Sequence, residues 1–310
     1  MGSRRRRVRR RGRGVTESGL VIVDKPGGMT SHDVVARIRR LAGTRRVGHA
    51  GTLDPMATGV LVVGVEKATR LLGYLSLTEK EYAATIRLGQ STTTDDAEGE
   101  PSGGAPADRV TEEAVRAGAA GLTGEIMQVP PGVSAIKING QRAYKLTRAG
   151  AAPELKPRPV TVSAFTVTNV RYVDKFLDFE GLIRCSSGTY IRALARDLGA
   201  ALGTGGHLTA LRRTRVGGYG QARAVTLEDL SEQMILTPLA EAAAAAFPRI
   251  DLPETDAGRL SHGMKTEIPA GAPSGTAEAP VAAFAPDGSL IALVTTESGR
   301  LKPLAVFASS

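Results

Sequence analysis

Residues 48–61 read Gly-His-Ala-Gly-Thr-Leu-Asp-Pro-Met-Ala-Thr-Gly-Val-Leu. This stretch predicts a glycine-bounded turn that carries one carboxylate, Asp54, and that opens a buried strand over residues 60–65. A carboxylate held on a tight loop beside a buried strand can act as a nucleophile or as an electrostatic stabiliser. On spacing alone, Asp54-Pro55 is also typical of a turn or of a helix start, with Asp as the N-cap and Pro at the first helical position.

The elements around this stretch predict an α+β fold. Strands are predicted over residues 19–25, 60–65, 81–88, 160–173 and 176–185, the last two as an antiparallel pair. Helices are predicted from Ser31 as N-cap to Gly43, over residues 66–75, after Thr111, over residues 142–147 and from Thr189. Few strand–helix–strand alternations occur, so we expect a mixed, mainly antiparallel central sheet with flanking helices rather than a doubly wound parallel sheet.

The composition is that of a globular protein with a substantial core. The chain has 310 residues, of which 42% are hydrophobic, enough for one large domain or two ordinary ones. The single cysteine, Cys185, excludes an intramolecular disulfide and a cysteine zinc site, and we read it as a small buried hydrophobe. A reducing compartment, the cytoplasm, fits this cysteine usage best, and no apolar run has the ~20 residues that span a bilayer.

The net charge of +9 is unevenly distributed. Residues 1–14 carry eight arginines and no acid, whereas residues 221–310 carry six basic and eleven acidic side chains. A basic main body suggests an anionic partner, most commonly nucleic acid. The arginine-rich tail should be disordered because its charges repel one another. It is either a solvated extension or a non-specific attractor of RNA phosphates, and charge alone would also permit a nuclear signal.

The pattern changes near Leu239. After an alanine run, short apolar stretches alternate with glycine and proline, which predicts a small all-β unit of about 60 residues, the size of an RNA-binding barrel. We therefore divide the chain into a disordered tail (1–14), a main domain (15–245) and an all-β domain (246–310).

Four motifs carry a family resemblance. They are Lys-Pro-Gly-Gly-Met-Thr-Ser at 25–31, the 48–61 stretch, Lys-Glu-Tyr at 80–82 and Cys-Ser-Ser-Gly-Thr-Tyr-Ile-Arg at 185–192. In this order they resemble the motifs of the TruB-type tRNA pseudouridine synthases over residues 19–220. The 246–310 unit more weakly resembles the PUA-like barrel appended to these enzymes. The resemblance implies the pseudouridine synthase fold for the central sheet.

The resemblance also implies an activity. Such an enzyme isomerises the uridine at position 55 in the T loop of tRNA by flipping it out, detaching the uracil, rotating it and rejoining it through carbon. Substrate and product are isomers, so no cofactor is expected. Asp54 would be the essential carboxylate, and whether it attacks the base, attacks the sugar or supports a glycal intermediate stays open. Arg192 would pair with it, since a guanidinium favours and orients an ionised carboxylate; alternatively Arg192 is a surface arginine on its helix.

Five further positions match family residues. Tyr82 would stack on the target base and handle protons, and His49 would fill the gap that the flipped uridine leaves. Tyr190 and Leu211 would line the uracil pocket, and Lys25 would reach a phosphate or brace the loop. Each also has an ordinary explanation, namely core packing for Tyr82, Tyr190 and Leu211, a local hydrogen bond for His49 and a purely structural role for Lys25.

Two basic runs are candidates for contact with the RNA backbone, although charge runs are usually solvated faces. The residues concerned are Arg142, Lys145, Arg212 and Arg213. No metal is expected, because Asp95 and Asp96 lie in an acidic loop that lacks a third oxygen ligand at suitable spacing.

The expected partner is tRNA, recognised through the shape of its T arm. We expect a monomer that needs no guide RNA, no obligate protein partner and no membrane, with the insertions at 91–108 and 137–158 as RNA clamps. Two alternatives stay open. One is an RNA-guided synthase of the same superfamily, and the other is an RNA-binding or folding module without chemistry.

Overall fold

The computed structural model of the chain describes residues 17–132 and 155–307, together with the backbone of two short strands at Lys137–Ile138 and Gln141–Arg142. The predicted helix over residues 142–147 does not begin at Arg142, which lies in a strand, and its remaining residues are outside the described part. The predicted tail (1–14) is likewise outside it, as is most of the 137–158 insertion.

The described strands form a large mixed sheet, a smaller C-terminal sheet and two short hairpins. In chain order they are β1 Gly19–Lys25, β2 Val47–Ala50, β3 Thr58–Val65, β4 Lys80–Leu88, β5 Ser91–Thr92, β6 Pro101–Gly103, β7 Gly124–Gln128, β8 Lys137–Ile138, β9 Gln141–Arg142, β10 Arg158–Val173, β11 Phe176–Cys185, β12 Gly206–Val216, β13 Tyr219–Gly220, β14 Thr237–Pro238, β15 Arg249–Asp251, β16 Thr266–Glu267, β17 Val281–Phe284, β18 Leu290–Glu297 and β19 Arg300–Val306.

The described helices are α1 Ser31–Ala42, α2 Leu72–Leu77, α3 Glu112–Gly121, α4 Ile191–Ala201, α5 Leu227–Glu232, α6 Leu239–Ala246 and α7 Glu254–Ser261. Two 3₁₀ helices at Glu66–Leu71 and Gln221–Arg223 complete the set. The helix predicted over residues 66–75 is therefore split into a tight 3₁₀ turn followed by α2.

Strand order in the large sheet confirms the predicted α+β class. Its path is β14-β1-β3-β12-β4-β11-β10-β7, with β2 added to β3 and β13 to β12. The pairs are antiparallel except β3 with β12, which run parallel. The predicted β10–β11 hairpin is present, with Phe165 opposite Ile183.

Two strands of this sheet are buried on both faces. In β1 and β3, Val21 and Leu61 belong to the apolar layer under α1 and α4, whereas Ile22 and Val60 belong to the layer under α2 and α6. A strand covered on both faces reads as a continuous apolar run rather than an alternation. This burial fixes the strand that follows the Asp54 loop.

The predicted N-cap of α1 is wrong by one residue. Thr30, not Ser31, caps the helix, because its hydroxyl accepts from the Asp33 backbone N–H while the Asp33 carboxylate accepts from the Thr30 N–H. Gly43 ends the helix in the left-handed conformation, with φ of 68°. The Ser31 hydroxyl does not cap the helix and instead hydrogen-bonds the Leu53 backbone.

The C-terminal strands form a five-stranded half-barrel sheet in the order β15-β17-β18-β19-β16, but the unit is not all-β as predicted, because α7 packs on this sheet through Ala257 and Leu260. Its inner face shares an apolar layer with the large sheet through Phe284, Leu293 and Phe307. In the described part of the chain, none of the helices combines the length and the apolar character needed to cross a bilayer.

Candidate active site

The loop that carries Asp54 is held by the 25–31 motif. The Lys25 side chain is fully buried, and its Nζ donates to the carbonyl oxygens of Pro26, Met29 and Pro55 at 2.8, 2.6 and 3.1 Å. The Gly28 N–H donates to the same Pro55 carbonyl at 2.9 Å. Burial lowers the pKa of Lys25 to about 8, with nearby Asp54 acting in the opposite direction. Lys25 is thus a brace beneath the loop and does not reach the surface.

A second brace lies on the other side of Asp54. The Leu53 N–H donates to the Ser31 hydroxyl at 2.9 Å, and that hydroxyl donates to the Leu53 carbonyl at 3.2 Å. No helix follows Asp54: the Ala57 N–H closes a turn onto the Asp54 carbonyl and β3 begins at Thr58. Of the two explanations for Asp54-Pro55, the helix N-cap is therefore excluded.

Arg192 lies beside this carboxylate, in the first turn of α4. Its Nε donates to Asp54 Oδ2 at 2.9 Å and its Nη1 donates to the Thr94 carbonyl at 2.8 Å. The Arg192 side chain is 5% exposed and that of Asp54 is 36% exposed. The structure thus brings the two predicted residues together, with the arginine inside and the carboxylate at an accessible wall.

The sequence reasoning missed a third member of this cluster, Asp96. Its Oδ2 is 3.5 Å from Arg192 Nε, and its Oδ1 accepts from the Thr94 hydroxyl at 2.5 Å and from the Glu98 N–H at 3.1 Å. Asp95 pairs with Arg196 at 3.2 Å, and burial raises the pKa of Asp95.

The 91–108 segment therefore contacts the arginine that pairs with Asp54 and is not only a surface loop. The sequence feature that could have indicated these contacts is the spacing of Arg192 and Arg196. Two arginines four residues apart on a helix present one face, and adjacent acids elsewhere in the chain can pair with both.

The Asp54 carboxylate opens onto a pocket of about 270 Å³. Tyr82 from β4, Leu211 from β12 and Tyr190 at the start of α4 line it. Burial raises the pKa of the Tyr82 hydroxyl, with the nearby Arg213 guanidinium acting in the opposite direction. These residues form an aromatic and apolar wall beside the carboxylate.

The start of α4 is fixed by a side chain that the sequence analysis did not single out, Gln128. Its Oε1 accepts from the Tyr190 N–H at 2.8 Å and its Nε2 donates to the Tyr190 carbonyl at 3.1 Å. The helix predicted to begin at Thr189 begins at Ile191, with Tyr190 as its N-cap in an extended conformation. The amide of Gln128 thus sets the position of Tyr190, two residues before Arg192.

Arg213 is not on the surface, contrary to the position predicted for an RNA-backbone contact. It is 1% exposed, its Nε donates to the Val60 carbonyl at 2.7 Å and its Nη2 donates to the Gly51 carbonyl at 3.1 Å. Parallel pairing of β12 with β3 brings it here, opposite Gly59, where a Cβ would lie 2.2 Å from the Arg213 carbonyl oxygen. Arg213 lines the pocket together with Lys80, a buried lysine absent from the sequence-based candidates.

The other predicted RNA contacts are more dispersed. Arg212 is partly exposed and donates to Asp24 Oδ2 at 2.8 Å. The Arg142 side chain and the whole of Lys145 lie outside the described residues. Within residues 17–132 and 155–307, no cluster of His, Cys, Asp and Glu could hold a metal ion.

His49 lies on β2 and does not line the pocket. Its ring meets that of His32 edge-on, with centroids 5.5 Å apart, and its Nδ1 is buried without a hydrogen-bond partner. Burial, with a contribution from His32, lowers the pKa of His49 to about 4. The imidazole is therefore neutral at physiological pH.

Comparison with known proteins shows the class to which this sheet and its carboxylate–arginine pair belong, that of the pseudouridylate synthases. Residues 39–191 match the N-terminal domain of TruB family pseudouridylate synthases, residues 192–245 match the tRNA pseudouridylate synthase B C-terminal domain, and residues 247–308 match the tRNA pseudouridine synthase II C-terminal domain. The chain belongs to the TruB family.

Curated relatives match over nearly the whole chain. The tRNA pseudouridine synthase B of Thermobifida fusca is 63% identical over 296 residues, covering 94% of this chain and 99% of the relative. That of Streptomyces griseus is 58% identical over 298 residues, covering 94% and 98%.

Two solved structures share the fold. An H/ACA RNP bound to a substrate RNA containing 2′-deoxyuridine gives a TM-score of 0.71 at 26% identity, covering 94% of this chain and 85% of that chain. A Cbf5-Nop10-Gar1 complex gives 0.68 at 28% identity, covering 94% and 84%.

Proposed function

We propose that this protein converts uridine to pseudouridine in tRNA, at position 55 of the T loop. The observation that carries the proposal is the Asp54–Arg192 pair at the wall of a tyrosine-lined pocket. Names of the curated relatives specify tRNA as the RNA concerned. The reaction breaks the C1′–N1 bond and forms a C1′–C5 bond, N1 gaining the proton that C5 loses, so no atom is added overall and no external oxidant or reductant is consumed.

The position of each site residue suggests its role in the proposed reaction. Asp54 is the reactive carboxylate, and Arg192 orients it from inside the protein through the 2.9 Å hydrogen bond. Tyr82 stacks on the flipped base, and Tyr190 and Leu211 enclose it. His49, neutral and next to the Asp54 loop along the chain, takes the place of the flipped uridine in the RNA stack.

RNA selection rests on shape and phosphate contact. Arg212, Arg142 and Lys145 contact the backbone of the T arm, and Arg213 is excluded from that role by its burial. The arrangement is a catalytic domain over residues 15–245 and a PUA-like domain over residues 246–310, with the 1–14 tail adding non-specific attraction to RNA. The protein acts as a monomer in the cytoplasm, where its lone cysteine stays reduced.

An RNA-guided synthase is the rival that a specific observation favours, because the similar solved structures are of H/ACA complexes. The test is to incubate the purified protein with an unmodified tRNA transcript and no other RNA or protein, and to map pseudouridine along the product. Product at position 55 supports the proposal. Product only after a guide RNA and partner proteins are added supports the rival, and tight binding without product supports a folding module.

A further inference from the structure

Two buried cations meet at the wall of the pocket and have no part in the mechanism described so far. Lys80, in β4, is 5% exposed, and Arg213, in β12, is 1% exposed. Both lie against Gly51: a Cβ built there would be 3.4 Å from Lys80 Cε and 3.4 Å from Arg213 Nη1. Gly51 and both cations line the same pocket as Asp54.

Neither cation has an acidic partner within residues 17–132 and 155–307. Lys80 Nζ donates to the carbonyls of Ser76 and Thr78 at 2.8 and 2.7 Å. Arg213 likewise donates to carbonyls, those of Val60 and Gly51. Burial and the neighbouring Arg213 lower the pKa of Lys80 to about 8.

Such an arrangement is unfavourable for folding. Two like charges out of water, without a counter-anion, cost free energy that a neutral side chain of similar size would avoid. Capping the carbonyls at the end of α2 does not require a full charge. The two buried positive charges are better explained by an anion that occupies the pocket during the reaction and compensates them than by carbonyl capping.

We propose that Lys80 and Arg213 stabilise the negative charge that uracil acquires when it leaves the sugar. This inference rests on the proposed function. When the C1′–N1 bond breaks, its electron pair stays on the base, and the charge spreads over N1 and the two carbonyl oxygens. It disappears when an electron pair of the base forms the C5–C1′ bond. C5 then loses its proton and N1 gains one, which leaves the net charge unchanged. Lys80 and Arg213 transfer no proton; they act as fixed charges that are themselves shielded from water by burial.

The test compares two target nucleosides in single-turnover reactions. Lys80→Met removes the charge while keeping the length and apolar character of the side chain. With uridine at the target position we expect the rate to fall by about 10²- to 10³-fold, the usual effect of removing one stabiliser of a developing anion. With 5-fluorouridine at the target position, the fluorine already stabilises the detached anion. The rate at which the N-linked nucleoside disappears should then fall by less than about 10-fold in Lys80→Met.

Lys25→Met is the matched comparison. Lys25 is also buried, also donates only to carbonyls and also has its pKa lowered to about 8, but it does not line the pocket. Its loss should slow both nucleosides by the same factor, as a loosened loop would. If Lys80→Met does not fold, Lys80→Gln, which keeps an N–H donor without the charge, replaces it.

Three outcomes would overturn the inference. They are an unchanged rate for Lys80→Met, an equal slowing with both nucleosides, and a loss of tRNA affinity with no change in the bound-state rate, which would assign the cations to a phosphate. Wild-type activity on the uridine transcript tests the proposed function separately, so the two can fail independently.

Discussion

Removing the Ser31 hydroxyl should both destabilise the protein and slow the reaction. Ser31 is 1% exposed, and its hydroxyl pairs with the N–H and the carbonyl of Leu53, the residue before Asp54. Ser31→Ala leaves both backbone groups buried without that partner. At about 1–3 kcal/mol for each such group, and allowing for relaxation at the longer 3.2 Å contact, the free energy of unfolding should fall by about 2–3 kcal/mol.

The rate effect follows from position. A displacement of about 1 Å in a catalytic group can cost 10²-fold, so the single-turnover rate of pseudouridine formation should fall by about that factor. Urea unfolding followed by circular dichroism gives the stability, and nucleoside analysis of a tRNA transcript gives the rate.

Ser231→Ala is the matched control, because its hydroxyl donates to the Glu228 carbonyl on an exposed helix face. It should change stability by less than about 0.5 kcal/mol and leave the rate unaltered. A Ser31→Ala protein that loses stability yet keeps the wild-type rate would refute the argument that this contact positions Asp54.

Three further changes test other parts of the structure. Gly59→Ala places a Cβ 2.2 Å from the Arg213 carbonyl at a φ of +95°, so it should lower the free energy of unfolding by at least about 2 kcal/mol, whereas Gly73→Ala in α2 has open space and should stabilise by about 0.5–1 kcal/mol in urea titrations. Arg192→Lys keeps the charge but loses the guanidinium fork, so its single-turnover rate should fall by about 10²-fold, and a rate within a factor of about two of wild type would contradict the assigned geometry. Burial lowers the pKa of His49 to about 4, below the value of 6.5 in the unfolded chain, so the unfolded chain binds the proton first as pH falls. The free energy of unfolding should therefore fall as pH decreases from about 6.5 to about 4. In urea titrations at different pH values, His49→Gln should flatten that part of the profile.

Local sequence determines much of this fold. The apolar runs of β1 and β3 predict buried strands, and the alternation in β4 predicts a strand with one buried face, because burial period follows directly from the chain geometry. The β10–β11 hairpin follows from two such runs and the short turn between them. The predicted starts of two helices were wrong because side-chain hydrogen bonds fix them. Thr30 caps α1 because it and Asp33 form reciprocal hydrogen bonds, and Gln128, on a distant strand, hydrogen-bonds the Tyr190 backbone at the start of α4.

The site depends more on tertiary pairing than on motif. Asp54 and Arg192 were found because both lie in long, specific motifs. The residues around Asp96 predict a surface loop, because no neighbouring residue in the sequence indicates that Arg192 lies 3.5 Å away. The run of arginines predicts a surface position for Arg213, whereas the parallel pairing of β12 with β3 places Arg213, alone among the arginines of that run, in the interior. Spacing indicates only that two adjacent acids could pair with two arginines on one helix face; it does not show which residues about a hundred positions apart meet.

The most direct test of the account is the single-turnover conversion of an unmodified tRNA transcript by Asp54→Asn, measured beside Asp96→Asn. Asparagine keeps the size and a hydrogen-bond acceptor at each position but removes the charge. We expect Asp54→Asn to bind tRNA and form no pseudouridine, and Asp96→Asn to react slowly, because Asp96 acts only through Arg192. Pseudouridine formed by Asp54→Asn at the wild-type rate would contradict the claim that this carboxylate carries the chemistry.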